Sequence, residues 1–532
     1  MESPTREVNV HLLASKIAAE IQNQLQYKSF QYELQKAATT EQVTILDFRN
    51  SLLYHIKCGN LDTKLRNMVY HWLKDHCFGM RHVAVEPLDY MKKYQEAWES
   101  RIWKSVIAMA NDLGSPLARG RLTSEQEVME ENWTEFSQWE VDLSRFRPVY
   151  SPKDFLDCIL QILSPNYQLN GAEKLWSSLA SIPIKVKTLR ELKCLFADLT
   201  TGEPHYGLIR HLDSEDLHGS YVSCGVPKII QIQRTKLGEI VEGKNLAPVA
   251  QEFLKKGCPP ALRAKLWQQV LGSQLTKEHS EYYQELKQSV IKCELLIDRL
   301  ILKDVQLTAA NDDQYFVFED SLYQVLLSFS RDVALLELFD RSSKSPLTAV
   351  LKGKGGHPDG CVIYPPNGIV PFHGFTMYVA PLCYLFDDPE SLYFTFRSLY
   401  TRYWFRLHEI SSHENGIVGL CILFEKLLHR HETQLWFHLR SLRVLPLRVV
   451  FKWLMKGFSG YLPAEQVLQL WDLMLAYNSV QLLALFAMGV LSIRKENLMK
   501  STQAQTVDAV LADLSSIAVL PVLQLSLSKE TF

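Results

Sequence analysis

Apolar residues recur at steps of three and four along most of the chain, a spacing that predicts helices. Val10, Leu13, Ile17, Ile21 and Leu25 form one such stripe, and Leu88, Met91, Trp98, Ile102, Val106 and Met109 form a longer one. Local chemistry marks some helix ends. In SPKDFLDCIL, Ser151 is an N-cap, Pro152 fits the first helical position and Asp154 the first turn. Gly257 is placed to stop one helix and Pro259-Pro260 to start the next. Val467, Leu468, Trp471 and Met474 share a face in a later segment. Nothing in the second half alternates with period two over a useful length, so the expected class is all-α. Such stripes, with Trp72, Trp103 and Trp133 among them, read as core rather than as a cofactor site.

Breaks in the pattern divide the chain. Residues 1–200 read as a helical N-terminal region, 201–245 as a loop or linker rich in Gly, Ser, His and acidic residues, and 250–500 as a second helical domain. The tail, 501–532, is expected to be helical and packed on that domain. At 532 residues the chain is expected to form more than one core. Residues 341–368 carry glycines and prolines and read as an exposed loop, within which KGKGGHPDG lacks phosphate-loop spacing and follows no clear strand. The octapeptide ILKDVQLT, residues 301–308, reads as a polar turn in which Leu307 is out of keeping.

Residues 473–493 carry no charge and nominally suffice to span a bilayer. Tyr477-Asn478-Ser479 interrupts them, with Ser479 as an N-cap, and the remainder is too short to cross; a buried core helix is predicted. With 57 basic and 59 acidic residues, the net charge of −2 creates no global field for nucleic acid or an anionic membrane. The ten cysteines are scattered without a CxxC pair, which predicts reduced, buried thiols in a cytoplasmic protein. The N-terminus lacks a signal-peptide layout. His429 and His431 are two apart and point in different directions on a helix, and His408 and His413 lack a carboxylate pattern to complete zinc ligation, so no metal and no cofactor are expected.

Three blocks then resemble one family in the expected order. GCPPALRAKLWQQVLG looks like the opening of a TBC domain, with Arg263 and Trp267 on its Arg-x-x-x-Trp positions. TQLWFHLRSLRVLPLRVVFKWLMKGF is similar to the intervening segment, with His438, Leu439 and Trp453. FSGYLPAEQVLQLWDLML resembles the later block, a Leu-Pro turn and a helix bearing Trp471-Asp472. The resemblance covers roughly residues 250–500. It implies an all-helical TBC domain that accelerates GTP hydrolysis by GTP-bound Rab GTPases in vesicle traffic, with membrane contact only through partners.

The resemblance also implies a mechanism. TBC proteins supply an arginine from an Ile-x-x-Asp-x-x-Arg motif and a glutamine from a Tyr-x-Gln motif. Here Ile301, Asp304 and Thr308 match the first motif and Leu307 takes the arginine position; Gly374 follows the second, with His373 for glutamine and Pro371 for tyrosine. Leucine carries no charge and donates no hydrogen bond. Lys303 and Arg299 are substitute cations on one reading and solvated helix charges on the blander one. Two functions stay open: an activator with a weakened mechanism, or a non-catalytic Rab-binding or scaffold protein. Within the family pattern, Ile301, Thr308, Gly374, Arg263, Trp267, Trp471 and Asp472 are assigned to the binding groove.

Overall fold

The computed structural model describes residues 25–39, 61–80, 89–138, 141–162, 182–200, 228–339, 349–352 and 361–528, with isolated positions between 15 and 60 and at 179. The fold is all-α. The N-terminal region supplies helices α1 (Leu61–Met80), α2 (Asp89–Leu113) and α3 (Pro152–Gln161), with a short strand β1 (Ala118–Gly120) between the last two. There follow α4 (Lys228–Lys244), α5 (Ala247–Leu254), α6 (Arg263–Leu271), strand β2 (Cys293–Leu295), α7 (Leu296–Asn311) and α8 (Glu319–Ser330). Strands β3 (Ala349–Lys352) and β4 (Cys361–Tyr364) precede α9 (Pro389–Arg402), α10 (Ile417–His431), α11 (Pro446–Met455), α12 (Ala464–Tyr477), α13 (Gln481–Ile493) and α14 (Val519–Ser528).

Local chemistry accounts for several boundaries. At the start of α3, the Ser151 amide and hydroxyl both donate to Asp154 Oδ2, at 2.9 and 2.7 Å, so the first turn closes on its own cap. Gly257 at φ +100° follows α5, and Gly272 at φ +71° ends α6. Asn478, at φ +51°, ends α12 in the left-handed region, and the Ser479 hydroxyl accepts from the Gln481 amide at 3.2 Å. The uncharged 473–493 stretch is thereby cut into two helices, and α13 is buried between α10 and α14. No helix among the described residues is long and apolar enough to cross a membrane.

Three expectations change. ILKDVQLT is not a turn but the middle of α7: Leu296, Ile297, Leu300, Ile301 and Val305 bury one face of that helix, and tertiary packing of this face overrides the polar look of the octapeptide. Within the segment read as a linker, Lys228–Lys244 is helical, seated by Gly238 and Val241 against the helices that follow. Two short antiparallel pairs interrupt the helices, β1 with β2 and β3 with β4, the latter running from Ala349↔Tyr364 to Lys352↔Cys361. A strand therefore does precede KGKGGHPDG, most of which lies outside the described residues. The larger of two apolar clusters runs from Met91 to Leu527 and joins the N-terminal stripes to the later helices, α3 on α11 in particular, while Val106, Ala110, Leu295, Leu296, Ile297 and Tyr364 form a second, smaller one. Of the first stripe, Val10, Leu13 and Ile17 lie outside the described residues; Ile21 is buried.

Among the described cysteines, Cys158, Cys258, Cys383 and Cys421 are buried, Cys293 is half-buried and Cys194 is exposed. All six are free thiols.

Candidate functional site

Helix α7 is clamped at its start. The Leu295 amide donates to Asp298 Oδ2 at 2.9 Å, and Arg331, just past α8, grips both oxygens of Asp298 at 2.7 Å. Since β1 pairs with β2 immediately before α7, the N-terminal region also braces this helix. Its buried face carries Ile301, Asp304 and Thr308; the opposite stripe carries Arg299, Lys303, Gln306 and Ala310, with half-buried Leu307 beside them.

Asp304 joins α7 to the segment containing His373. Its Oδ1 accepts from the Gly374 amide at 2.6 Å, while Oδ2 accepts from the Thr376 amide at 2.9 Å and the Thr376 hydroxyl at 2.7 Å. The carboxylate is 4% exposed, and its acceptor capacity is directed at this one loop. Asp304, which the resemblance places in the finger motif, thus spends its acceptors on holding this loop. Leu307, three residues on, lies about 5–6 Å from it along the same helix.

The loop is held from the other side as well. The His373 amide donates to the Tyr150 carbonyl at 2.9 Å, and Tyr150 packs against Phe372 of the same loop and against Trp98 of the N-terminal region. Gly374 adopts φ +94°, a left-handed bend that a residue with a Cβ rarely takes, and opens the 3-10 turn Phe375–Tyr378. The His373 side chain is 45% exposed, with Nδ1 3.6 Å from Asp304 Oδ1 and without a hydrogen-bond partner among the described residues. On the other flank of Gly374 lies Lys456, whose ammonium fills the space a Cβ would need. Burial pulls the Lys456 pKa below the ordinary lysine value, against the attraction of Asp304.

Arg263, Trp267, Trp471 and Asp472 form a separate cluster. Arg263 Nε donates to Asp472 Oδ2 at 3.0 Å, its terminal nitrogens reach Glu465 at 3.1 and 3.2 Å, and Trp267 Nε1 donates to Asp472 Oδ1 at 2.6 Å. Trp471 Nε1 donates to the Gly457 carbonyl at 2.9 Å. All four side chains are at most 3% exposed. Burial pushes the Asp472 carboxyl up to about 6 even with Arg263 beside it, the signature of an interior ion pair. These residues tie α6 to α12, with the exposed Glu465 at the rim of the cluster. Arg299 is likewise committed, its Nε donating to Glu294 at 2.9 Å.

Sequence reasoning missed Thr376, Tyr150 and Lys456. A threonine two residues past a glycine carries no distinctive spacing, and Tyr150 and Lys456 reach the loop only through tertiary packing.

The sequence profile of the Rab-GTPase-TBC domain matches residues 372–499, a span that includes His373, Gly374, Trp471 and Asp472 but not α6 or α7. Over 529 residues the chain is 41% identical to the human protein TBC1 domain family member 19, covering 98% of each. The chain belongs to the TBC domain family. A solved TBC domain, that of a Chlamydomonas flagellar RabGAP, is 16% identical with a TM-score of 0.42, over 62% of this chain and 98% of its own. The likeness to the human TBC relative extends over the N-terminal region too, so the helices that brace α7 and the His373 loop belong to the shared length.

Proposed function

We propose that this TBC protein binds GTP-loaded Rab GTPases as a regulator of the activating-protein type, and that it lacks the dual-finger chemistry of efficient activators. Family membership supports the Rab partner. The observation that carries the second half is the Asp304 tether: it draws α7 and the His373 loop together, yet the two side chains at the finger positions are leucine and histidine. GTP hydrolysis requires charge stabilisation on the transferring phosphoryl group and an oriented water. Leu307 offers neither charge nor a donor, and an arginine at such a position contributes about 10³–10⁵ in rate. His373 carries one donor and one acceptor nitrogen at separate positions of a short rigid ring, where a carboxamide presents donor and acceptor side by side at the end of a longer chain. The partner's own glutamine still orients water, so what stimulation exists is weak.

The same substitutions favour a second reading, a non-catalytic Rab-binding or scaffold protein acting in the cytoplasm on membrane traffic. Single-turnover GTP hydrolysis over a panel of purified Rabs, with binding measured in parallel, separates the two. Binding with slight acceleration supports the regulator; binding without any supports the scaffold; absence of binding in both nucleotide states rejects a Rab partner for that panel.

A further inference from the structure

We infer that the Lys456 ammonium, lodged between the Gly374 backbone and the Tyr461 ring, binds an oxygen of the γ-phosphate of the nucleotide carried by a partner GTPase. The inference rests on the proposed Rab engagement and adds to it the group that reads the nucleotide.

Lys456 follows directly on α11, and its long side chain reaches the bend at Gly374. A Cβ built on Gly374 would overlap both Nζ and Cε of the lysine. The lysine head is therefore packed on the left-handed bend beside His373 rather than extended into solvent. Its ammonium also lies over the Tyr461 ring, 5.7 Å from the centroid. Yet it makes no hydrogen bond or ion pair with any described residue. Asp304 is the nearest acid, but its oxygens serve Gly374 and Thr376. A half-buried ammonium without an acceptor has given up part of its hydration and gained little in exchange, so a strong anion placed against it is favoured.

The neighbouring groups narrow the choice. Arg299 is held by Glu294. Lys303 lies on the outer stripe of α7, where its charge is felt by exposed Asp142. Lys452, one turn before Lys456 on α11, is exposed and faces the same Tyr461 ring at 5.5 Å. Only Lys456, among these, touches the loop that Asp304 ties to the Leu307 helix. His373 sits on the same bend, its Nδ1 3.6 Å from Asp304 Oδ1 without a hydrogen bond. Lysine binds phosphate as a point charge, without the planar fork of arginine, which fits nucleotide recognition better than full transition-state stabilisation.

The test uses the full chain and purified Rab proteins loaded either with a non-hydrolysable GTP analogue or with GDP. Wild-type protein is expected to prefer the triphosphate form. Lys456→Gln should weaken that form about tenfold or more, the scale of one charge-assisted hydrogen bond, and leave GDP-form affinity unchanged. Lys456→Arg should keep the preference, and so should Lys452→Gln. A Lys456→Gln protein with undiminished preference overturns the inference, as does wild-type protein that binds both forms equally. Equal loss for both forms also overturns it, pointing to an acidic side chain of the GTPase as the lysine's partner. Wild-type protein that binds no Rab in either form rejects the Rab reading itself. A second readout needs no variant: reductive methylation of Lys456 in the wild-type chain, followed by mass spectrometry. Protection by the triphosphate-loaded partner and not by the GDP-loaded one is expected; identical labelling in both complexes contradicts the assignment.

Discussion

Asp304→Asn probes the tether that organises the candidate site. The change is nearly isosteric, but an amide has one acceptor oxygen where the carboxylate has two. If that oxygen keeps the pair from Thr376, its NH2 faces the Gly374 amide, which now donates at 2.6 Å to the carboxylate. Two donors then oppose each other in a site 4% exposed. Loss of a charge-assisted bond together with an unsatisfied buried amide amounts to about 2–4 kcal/mol. Asp304→Ala strands three donors and should destabilise by about 3–5 kcal/mol, near the upper end for single substitutions. Urea unfolding gives the totals, and hydrogen exchange at the Gly374 and Thr376 amides locates the effect, since their protection should fall more than that of α13. An Asp304→Asn protein within 0.5 kcal/mol of wild type, with those amides still protected, would refute the tether.

Two further predictions concern the framework. Arg263→Ala leaves Asp472 interior with only Trp267 as a donor and should destabilise by about 3–5 kcal/mol in urea unfolding; a stable variant that loses Rab binding would instead return Arg263 to the docking surface. Burial, opposed by Arg406 and reinforced by Glu99, pushes the Glu409 carboxyl from 4.5 up to about 7. A raised carboxyl binds its proton more tightly in the folded state, so stability falls as pH rises from about 4.5 through 7. Glu409→Gln should therefore stabilise by about 1–3 kcal/mol at pH 8 and leave unfolding at pH 4.5 unchanged; equal effects at both values would contradict this.

Helix periodicity made the fold class legible, and caps at Ser151 and breaks at Gly257 and Asn478 were readable because they act over a few residues. The octapeptide around Leu307 misled for the opposite reason. Its polar residues alternate with apolar ones in short range, and only the 16-residue frame from Leu296 to Asn311 reveals the buried face. Arg263 and Asp472 are 209 positions apart, and a charged pair in sequence gives no hint that the interior will enclose it. The motif resemblance pointed to the segments of Asp304 and Gly374 but not to the bond between them, and Lys456 had no motif to mark it. Tertiary contacts of this kind depend on where helices cross, which no local pattern encodes.

We propose that a TBC framework presents Leu307 and His373 where efficient activators place charge and carboxamide. Single-turnover GTP hydrolysis by a Rab that the chain binds, compared between wild type and Leu307→Arg/His373→Gln, tests it most directly. Slight stimulation is expected from wild type and at least about a hundredfold more from the double variant, within what an arginine finger contributes. Equal stimulation by the two proteins would contradict it.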